Sequence, residues 1–198
     1  MTTRNKYTYN TCSSTTVNVA AASAGGNLGT AVGNSTRGIF AIGTSTANCS
    51  NAGLGTKTTN KYIYASDCSV ASSCLNSFSY KRAAAGNCSR GIISTGYINC
   101  GCPCGAGPSS GRIKYTYATD VVSATACAAA SNYWGAATGN STRGIFAYGV
   151  VSGCSYSAIR NKYTYATDTN TACGVGSASS ASAKGAAASW AICVNCGA

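Results

Sequence analysis

The chain has 198 residues, enough for one compact domain with a sizeable core. Hydrophobic residues make up 45% and charged residues only 9%; this excludes charge-rich disorder, and no apolar run approaches the roughly 18 to 20 residues of a membrane span. Fourteen basic against three acidic residues give a formal charge of +11, which suits polyanions or acidic partners and also keeps a charge-poor surface soluble.

Two phrases alternate along the chain and set the predicted elements. It opens on Asn5-Lys6-Tyr7-Thr8-Tyr9, followed by Gly33-Asn34-Ser35-Thr36-Arg37-Gly38-Ile39-Phe40-Ala41. The first phrase returns as Asn60-Lys61-Tyr62-Ile63-Tyr64, and the second as Gly86-Asn87-Cys88-Ser89-Arg90-Gly91-Ile92-Ile93-Ser94. Then come Ile113-Lys114-Tyr115-Thr116-Tyr117, Gly139-Asn140-Ser141-Thr142-Arg143-Gly144-Ile145-Phe146-Ala147 and Asn161-Lys162-Tyr163-Thr164-Tyr165. A degenerate copy, Ala188-Ser189-Trp190-Ala191-Ile192-Cys193, closes the series. The lysines at 6, 61, 114 and 162 step by 55, 53 and 48, and the arginines at 37, 90 and 143 step by 53. One domain of four repeats is predicted, over 1–55, 56–111, 112–160 and 161–198.

The Tyr-x-Tyr phrase alternates as a half-buried strand does. Gly-Asn-Ser-Thr-Arg-Gly reads as a tight turn entering a buried strand. The Ala/Ser/Gly-rich stretches between, such as Gly174 to Ala188, carry glycines and β-branched neighbours and lack helix caps, which argues against helix. The expectation is all-β, with about four short strands per copy.

On these phrases the whole chain resembles the kelch-type repeat, which implies β-propeller blades of about fifty residues. In that resemblance Ile145-Phe146-Ala147-Tyr148-Gly149 is similar to the innermost strand of a blade. Asn161 to Asp168 is similar to the second strand and Lys184 to Ala188 to the outer one, while Gly43, Gly96 and Gly149 stand at the kelch glycine. More closely, the phrasing resembles uncharacterised kelch-like repeats of phage tail and bacterial surface proteins. The chain starts on the second-strand phrase and finishes on the innermost-strand phrase, so in a ring the last strand would complete the first blade and leave no exposed edge. The alternative is an open β-repeat stack or filament.

The chemistry-bearing residues are few. There is no histidine and no glutamate, and the three aspartates, Asp67, Asp120 and Asp168, share one repeat position that Cys12 fills in the first copy. A residue in register is expected to serve the repeat, bonding backbone amides in a turn, and carboxylates in different blades do not converge for acid–base work. A cysteine nucleophile would lack a histidine base, so no enzyme is expected. Asn34, Asn87 and Asn140 begin Asn-x-Ser/Thr triplets, as does Asn48; the first three are expected to serve the turn through a left-handed conformation.

Thirteen cysteines fall into two recurring zones. Cys49, then Cys100, Cys102 and Cys104, then Cys154, then Cys193 and Cys196 follow one strand. Cys12, then Cys68 and Cys74, then Cys127, then Cys173 follow the other, with Cys88 left in a turn. Repeated zones favour disulfide staples, and an odd total leaves one thiol over or makes a bond between chains. The competing reading places zinc or an iron–sulfur cluster on Cys100, Cys102, Cys104, Cys193 and Cys196; otherwise no cofactor is expected. Arg37, Arg90 and Arg143 would lie on one circle of a ring, where like charges gather an anion; otherwise each guanidinium caps loop carbonyls of a neighbouring blade.

The opening residues have no apolar core and do not read as a signal peptide. A virion protein released by lysis is therefore expected, or a mature extracellular or cell-surface chain. The predicted role is a structural module of a phage tail, fibre or cell surface that presents a binding surface. Its partners would be other virion or surface proteins, an anionic glycan or further copies of itself, with nucleic acid not favoured and no membrane span. The alternatives are a secreted filament-forming or adhesive protein and a cysteine-rich metal or redox protein.

Overall fold

The computed structural model describes residues 6–8, 13–15, 27–44, 55–99, 106–172 and 179–181. In chain order the strands are β1 (Lys6–Thr8), β2 (Ser13–Thr15), β3 (Thr30–Gly33), β4 (Arg37–Ala41), β5 (Thr59–Ile63) and β6 (Cys68–Ala71). Next come β7 (Ser79–Tyr80), β8 (Ala84–Gly86), β9 (Arg90–Ser94), β10 (Tyr97–Asn99), β11 (Ala106–Pro108), β12 (Arg112–Thr116) and β13 (Val121–Thr125). The series ends with β14 (Asn132–Tyr133), β15 (Ala136–Gly139), β16 (Arg143–Ala147), β17 (Val150–Val151), β18 (Arg160–Thr164) and β19 (Thr169–Thr171). Among the described residues the only helical element is a 3-10 turn, Ser152–Cys154. The all-β class read from the sequence is the class these residues adopt.

Three antiparallel four-stranded sheets, in the orders β3-β4-β5-β6, β8-β9-β12-β13 and β15-β16-β18-β19, repeat one design after the opening β1-β2 hairpin. In each, the Gly-Ile strand pairs with the Lys-Tyr strand in the same register: Ile39 opposite Lys61, Ile92 opposite Lys114, Ile145 opposite Lys162. The Ile-Phe-Ala strand is therefore interior to its sheet, between β15 and β18 in the third copy, and not the edge strand that an innermost blade strand would be. Each sheet also joins the end of one sequence copy to the start of the next. Recurring phrases give the period of a repeat but not the phase at which it folds.

The alternation of side chains gives every sheet two unlike faces. Ile113, Tyr115 and Tyr117 of the middle sheet point back to the first sheet, where Ile39 packs against the two tyrosines. Ile92 and Ala85 point forward and pack with Phe146, Tyr163 and Tyr165 of the third sheet. The core thus lies between sheets, as in face-to-face packing generally, and burying a side chain such as Ile92, with no exposed surface, contributes about 1.5–3 kcal/mol. The second tyrosine of each pair rests its hydroxyl on a cross-strand glycine pair. Gly86 faces Gly91, and a Cβ on Gly91 would stand 2.5 Å from Val32 Cγ1 and 3.0 Å from the Tyr117 hydroxyl.

A second row of short strands runs alongside the sheets. It passes from the Asn27–Thr44–Gly55 bridges through Thr56–Ser79 to β7-β10-β11, and on through Ser109–Asn132 to β14-β17. One backbone ladder therefore crosses from repeat to repeat. At its corners Leu28, Lys81 and Trp134, 53 residues apart, have φ of 53°, 57° and 55°. The Lys81 amide donates to the Leu28 carbonyl and the Trp134 amide to the Lys81 carbonyl, each at 3.1 Å. Gly43, Gly96 and Gly149 pack on these corners, where a Cβ would lie 2.4, 2.6 and 2.2 Å from the three carbonyl oxygens; that close approach is why the position holds glycine.

Candidate functional site

The residues in register meet at the junctions between sheets. Each junction begins with a turn in which asparagine acts as a side-chain acceptor: Asn34 Oδ1 receives the Thr36 and Arg37 amides, both at 3.0 Å. Asn87 does the same for Ser89 and Arg90, and Asn140 for Thr142 and Arg143. None of these asparagines has a positive φ; the left-handed residues are Asp67, Asp120 and Asp168, at 53°, 55° and 51°. The expected roles are thus exchanged. Asparagine bonds the turn amides, while aspartate takes the left-handed backbone and turns its carboxylate away to other partners.

Those partners are a tyrosine of its own sheet and two cations of the preceding one. Asp120 accepts from Tyr115 Oη at 2.8 Å, from Arg37 Nη1 at 3.1 Å and from Lys61 Nζ. Asp168 accepts from Tyr163 Oη and Arg90 Nη1, each at 2.9 Å, and from Lys114 Nζ. The same guanidinium also donates to a backbone carbonyl of the next sheet, Arg37 to Tyr117 O at 2.8 Å and Arg90 to Tyr165 O at 3.0 Å. Asn34 Nδ2 and Asn87 Nδ2 add one bond each across the junction, to Cys88 O and Ser141 O at 2.9 Å. Tyr62 completes the series with a 2.6 Å hydrogen bond to Asp67.

The electrostatics follow from this geometry. Partial burial pushes the Asp120 and Asp168 carboxyls up, but the lysine, tyrosine and arginine donors more than offset it and hold both below 3.8. Burial raises the Tyr115 and Tyr163 phenols to about 12, so both keep the proton they donate at neutral pH. The clusters are ion-pair joints between successive sheets.

Arg37 and Arg90 serve successive junctions and are held by Asp120 and Asp168, whereas Arg143 is exposed. Arg37 and Lys61 also line a cleft of about 440 Å³ with Ser35, Thr36, Ile63 and Tyr64. Four disulfide candidates need correction: Cys68, Cys74, Cys127 and Cys154 are free and exposed. Their repeat positions lie on edge strands and turns, so sharing a zone does not bring two of them together. Cys88, left unassigned in its turn, is disulfide-bonded; its partner lies outside the described residues, since the other four described cysteines are free. Cys12, Cys49, Cys100, Cys102, Cys104, Cys173, Cys193 and Cys196 fall outside the described residues, and so does the whole alternative metal set. Among the described residues no three metal-ligating side chains gather, and no helix is long and apolar enough to cross a membrane.

Two arrangements escaped the sequence reading because they do not recur. Lys81 Nζ lies 4.1 Å from the Trp134 ring centre, with Tyr80, Tyr133 and Tyr97 at 5.0, 5.1 and 5.2 Å. Arg82 is buried, donating to Ser79 Oγ at 3.0 Å and Ile42 O at 2.7 Å as well as to Thr56 O, and burial lowers its guanidinium to about 10. Both sit at the Leu28–Lys81–Trp134 corner or beside it; a break in an otherwise regular repeat was the available signal. The sequence matches no protein-family model and no curated protein.

Proposed function

We propose that the chain is a non-enzymatic structural module, a virion component of the tail or fibre kind or a cell-surface component, that presents a binding surface on a stack of kelch-like repeats. The observation that carries this is the use of its charged and phenolic groups. Each of the three aspartates accepts a tyrosine hydroxyl, and two of them also tie a lysine and an arginine of the preceding sheet. Such groups spend their chemistry on holding repeats in line, and the exposed surface also carries large apolar side chains such as Phe78, Val121 and Tyr156.

Of the two architectures, the open stack is favoured over the closed four-blade ring. One ladder of backbone bonds runs through successive repeats, and both junctions use the same bonds at the same spacing. X-ray scattering of the monomer distinguishes them: a compact ring of this length has a radius of gyration of about 16 Å, and a clearly larger, rod-like profile is expected. For the role, an antibody to the chain should find it in the particle or envelope fraction of its source culture after density-gradient separation. Recovery only among soluble cytosolic proteins would refute the assignment. The cleft beside Arg37 and Lys61 is where an anionic glycan would bind, giving salt-sensitive retention on a sulfated glycan resin.

A further inference from the structure

Cys74 and Cys127 stand 53 residues apart at one repeat position, and both thiols are free and exposed. The backbone holds them alike. One residue beyond each, the amide donates to the neighbouring strand, Leu75 to Lys57 O at 2.8 Å and Ala128 to Ser110 O at 2.7 Å. Two residues before each, Ser72 and Thr125 share hydrogen bonds with the hydroxyls of Tyr115 and Tyr163. The repeat breaks at one cross-strand position. Thr125 is paired with Arg112, whereas the first sheet has Thr59 in the equivalent place, its hydroxyl donating to Ser73 O at 2.6 Å. Arg112 is only 3% exposed. Its guanidinium lies on the Phe146 ring, 4.3 Å from the centre, and Nη1 donates to Asn170 Oδ1. Arg112 Nε has no acceptor, and among the described residues no carboxylate pairs with the guanidinium. A buried donor without an acceptor and a buried charge without a counter-charge are both costly. Burial lowers the guanidinium to about 10, and the groups near enough for a negative charge to oppose that push are Tyr148, Tyr163 and Cys127. Of these, Cys127 is the exposed thiol, which oxidation can turn into a lasting anion.

We propose that Cys127 is an oxidative modification site, at which a hydroperoxide converts the thiol to a sulfinate whose oxygens accept from Arg112 Nε. In the first step the thiolate sulfur attacks one peroxide oxygen. An S–O bond forms as the O–O bond breaks, and the second oxygen leaves with the electron pair as hydroxide. Sulfur loses two electrons and the peroxide gains them, giving the sulfenate. A second peroxide reacts in the same way at that sulfur, and the product loses its proton to the departing hydroxide, leaving a sulfinate and water. The guanidinium favours both steps by facing the negative charge as it passes to oxygen. The product then supplies the acceptor that Arg112 lacks and ties the end of β13 to β12, beside the contact of the second sheet with Phe146 of the third. Cys74, with Thr59 in place of the arginine, has the same backbone and no such cation, so the chain carries its own control. The site does not depend on a virion or cell-surface role.

The test exposes the full native chain to hydrogen peroxide for a series of times, quenches with catalase, then reduces, alkylates and maps the peptides by mass. A sulfinate survives thiol reduction and is read as two added oxygens. Cys127 should reach that state about tenfold or more faster than Cys74; an enclosed donor at a reacting anion is worth about 10²–10³-fold, and an exposed sulfur receives only part of that. Arg112→Gln, with an unchanged circular dichroism spectrum, should bring Cys127 down to the rate of Cys74, and Arg112→Lys should keep most of the preference. Oxidised wild type should melt at a higher temperature than the reduced chain, a rise that Cys127→Ser should lose. Equal rates at Cys127 and Cys74 in the wild type overturn the proposal, and that comparison needs no variant to fold. A preference that persists undiminished in a folded Arg112→Gln chain overturns it as well, since accessibility alone would then explain the rate. So does oxidation of Cys127 that leaves the melting temperature unchanged or lowers it.

Discussion

Replacing Asp168 by asparagine keeps the shape of the side chain and removes the charge on which Arg90, Lys114 and Tyr163 converge. Side-chain exposures of 30%, 29% and 23% for Asp168, Arg90 and Lys114 place the cluster between surface and interior. A surface ion pair is worth about 0.2–1 kcal/mol, and removing one partner of a buried pair costs about 3–5 kcal/mol. Two cations left facing an amide at this depth should cost about 2–3 kcal/mol. For a chain of this length that is a fall in Tm of roughly 4–12 °C, read by urea and thermal unfolding near neutral pH. The pH dependence supplies a second reading. The Asp168 carboxyl is held below its usual 3.8 by Lys114, Tyr163 and Arg90 against the upward push of burial. Its contribution is therefore complete above that value and is lost as pH falls through the lower, folded-state one. Wild type and D168N should differ in full near neutrality and converge as pH falls through the lower, folded-state value. A difference below about 0.5 kcal/mol near neutral pH, or one that persists undiminished in acid, would refute the electrostatic account.

Other substitutions test other parts of the joint. Gly91→Ala should drive a Cβ against Val32 and the Tyr117 hydroxyl and lower the urea midpoint by about 1–3 kcal/mol of stability with an unchanged slope. Lys81→Ala removes the ammonium from among four rings and should cost about 1–2 kcal/mol while changing the fluorescence of Trp134; Lys81→Arg should keep most of both. Alkylation of the native protein without reductant should label Cys68, Cys74, Cys127 and Cys154, with Cys88 labelled only after reduction, as peptide mass mapping will show.

The period and the strand class of this fold were legible because Lys-Tyr-x-Tyr and Asn-x-x-Arg-Gly-Ile recur with opposite-face alternation. What the joint does was less legible. Lysine, arginine and aspartate were each visible in register, but the aspartate that Arg37 and Lys61 hold belongs to the next sheet, some sixty to eighty positions away. Spacing along the chain does not reveal that offset. The exchange of roles between Asn34 and Asp67 has a similar cause, since both residue types suit turns and only the backbone angle separates them. The zoned cysteines misled because equivalence under the repeat moves residues apart by a whole sheet, so equivalent positions do not meet.

The corner column at Leu28, Lys81 and Trp134 works as a ruler cut into the chain at one spacing. Length can change there only in whole divisions. A single inserted residue would throw the next corner out of bonding reach, whereas removing an entire division leaves each surviving seam with its own aspartate. The stretches Gly33 to Ala41 and Gly139 to Ala147 are identical, so a splice from the first into the second would delete two whole divisions in register. A protein measured out in this way can shorten or lengthen by recombination without redesigning any contact.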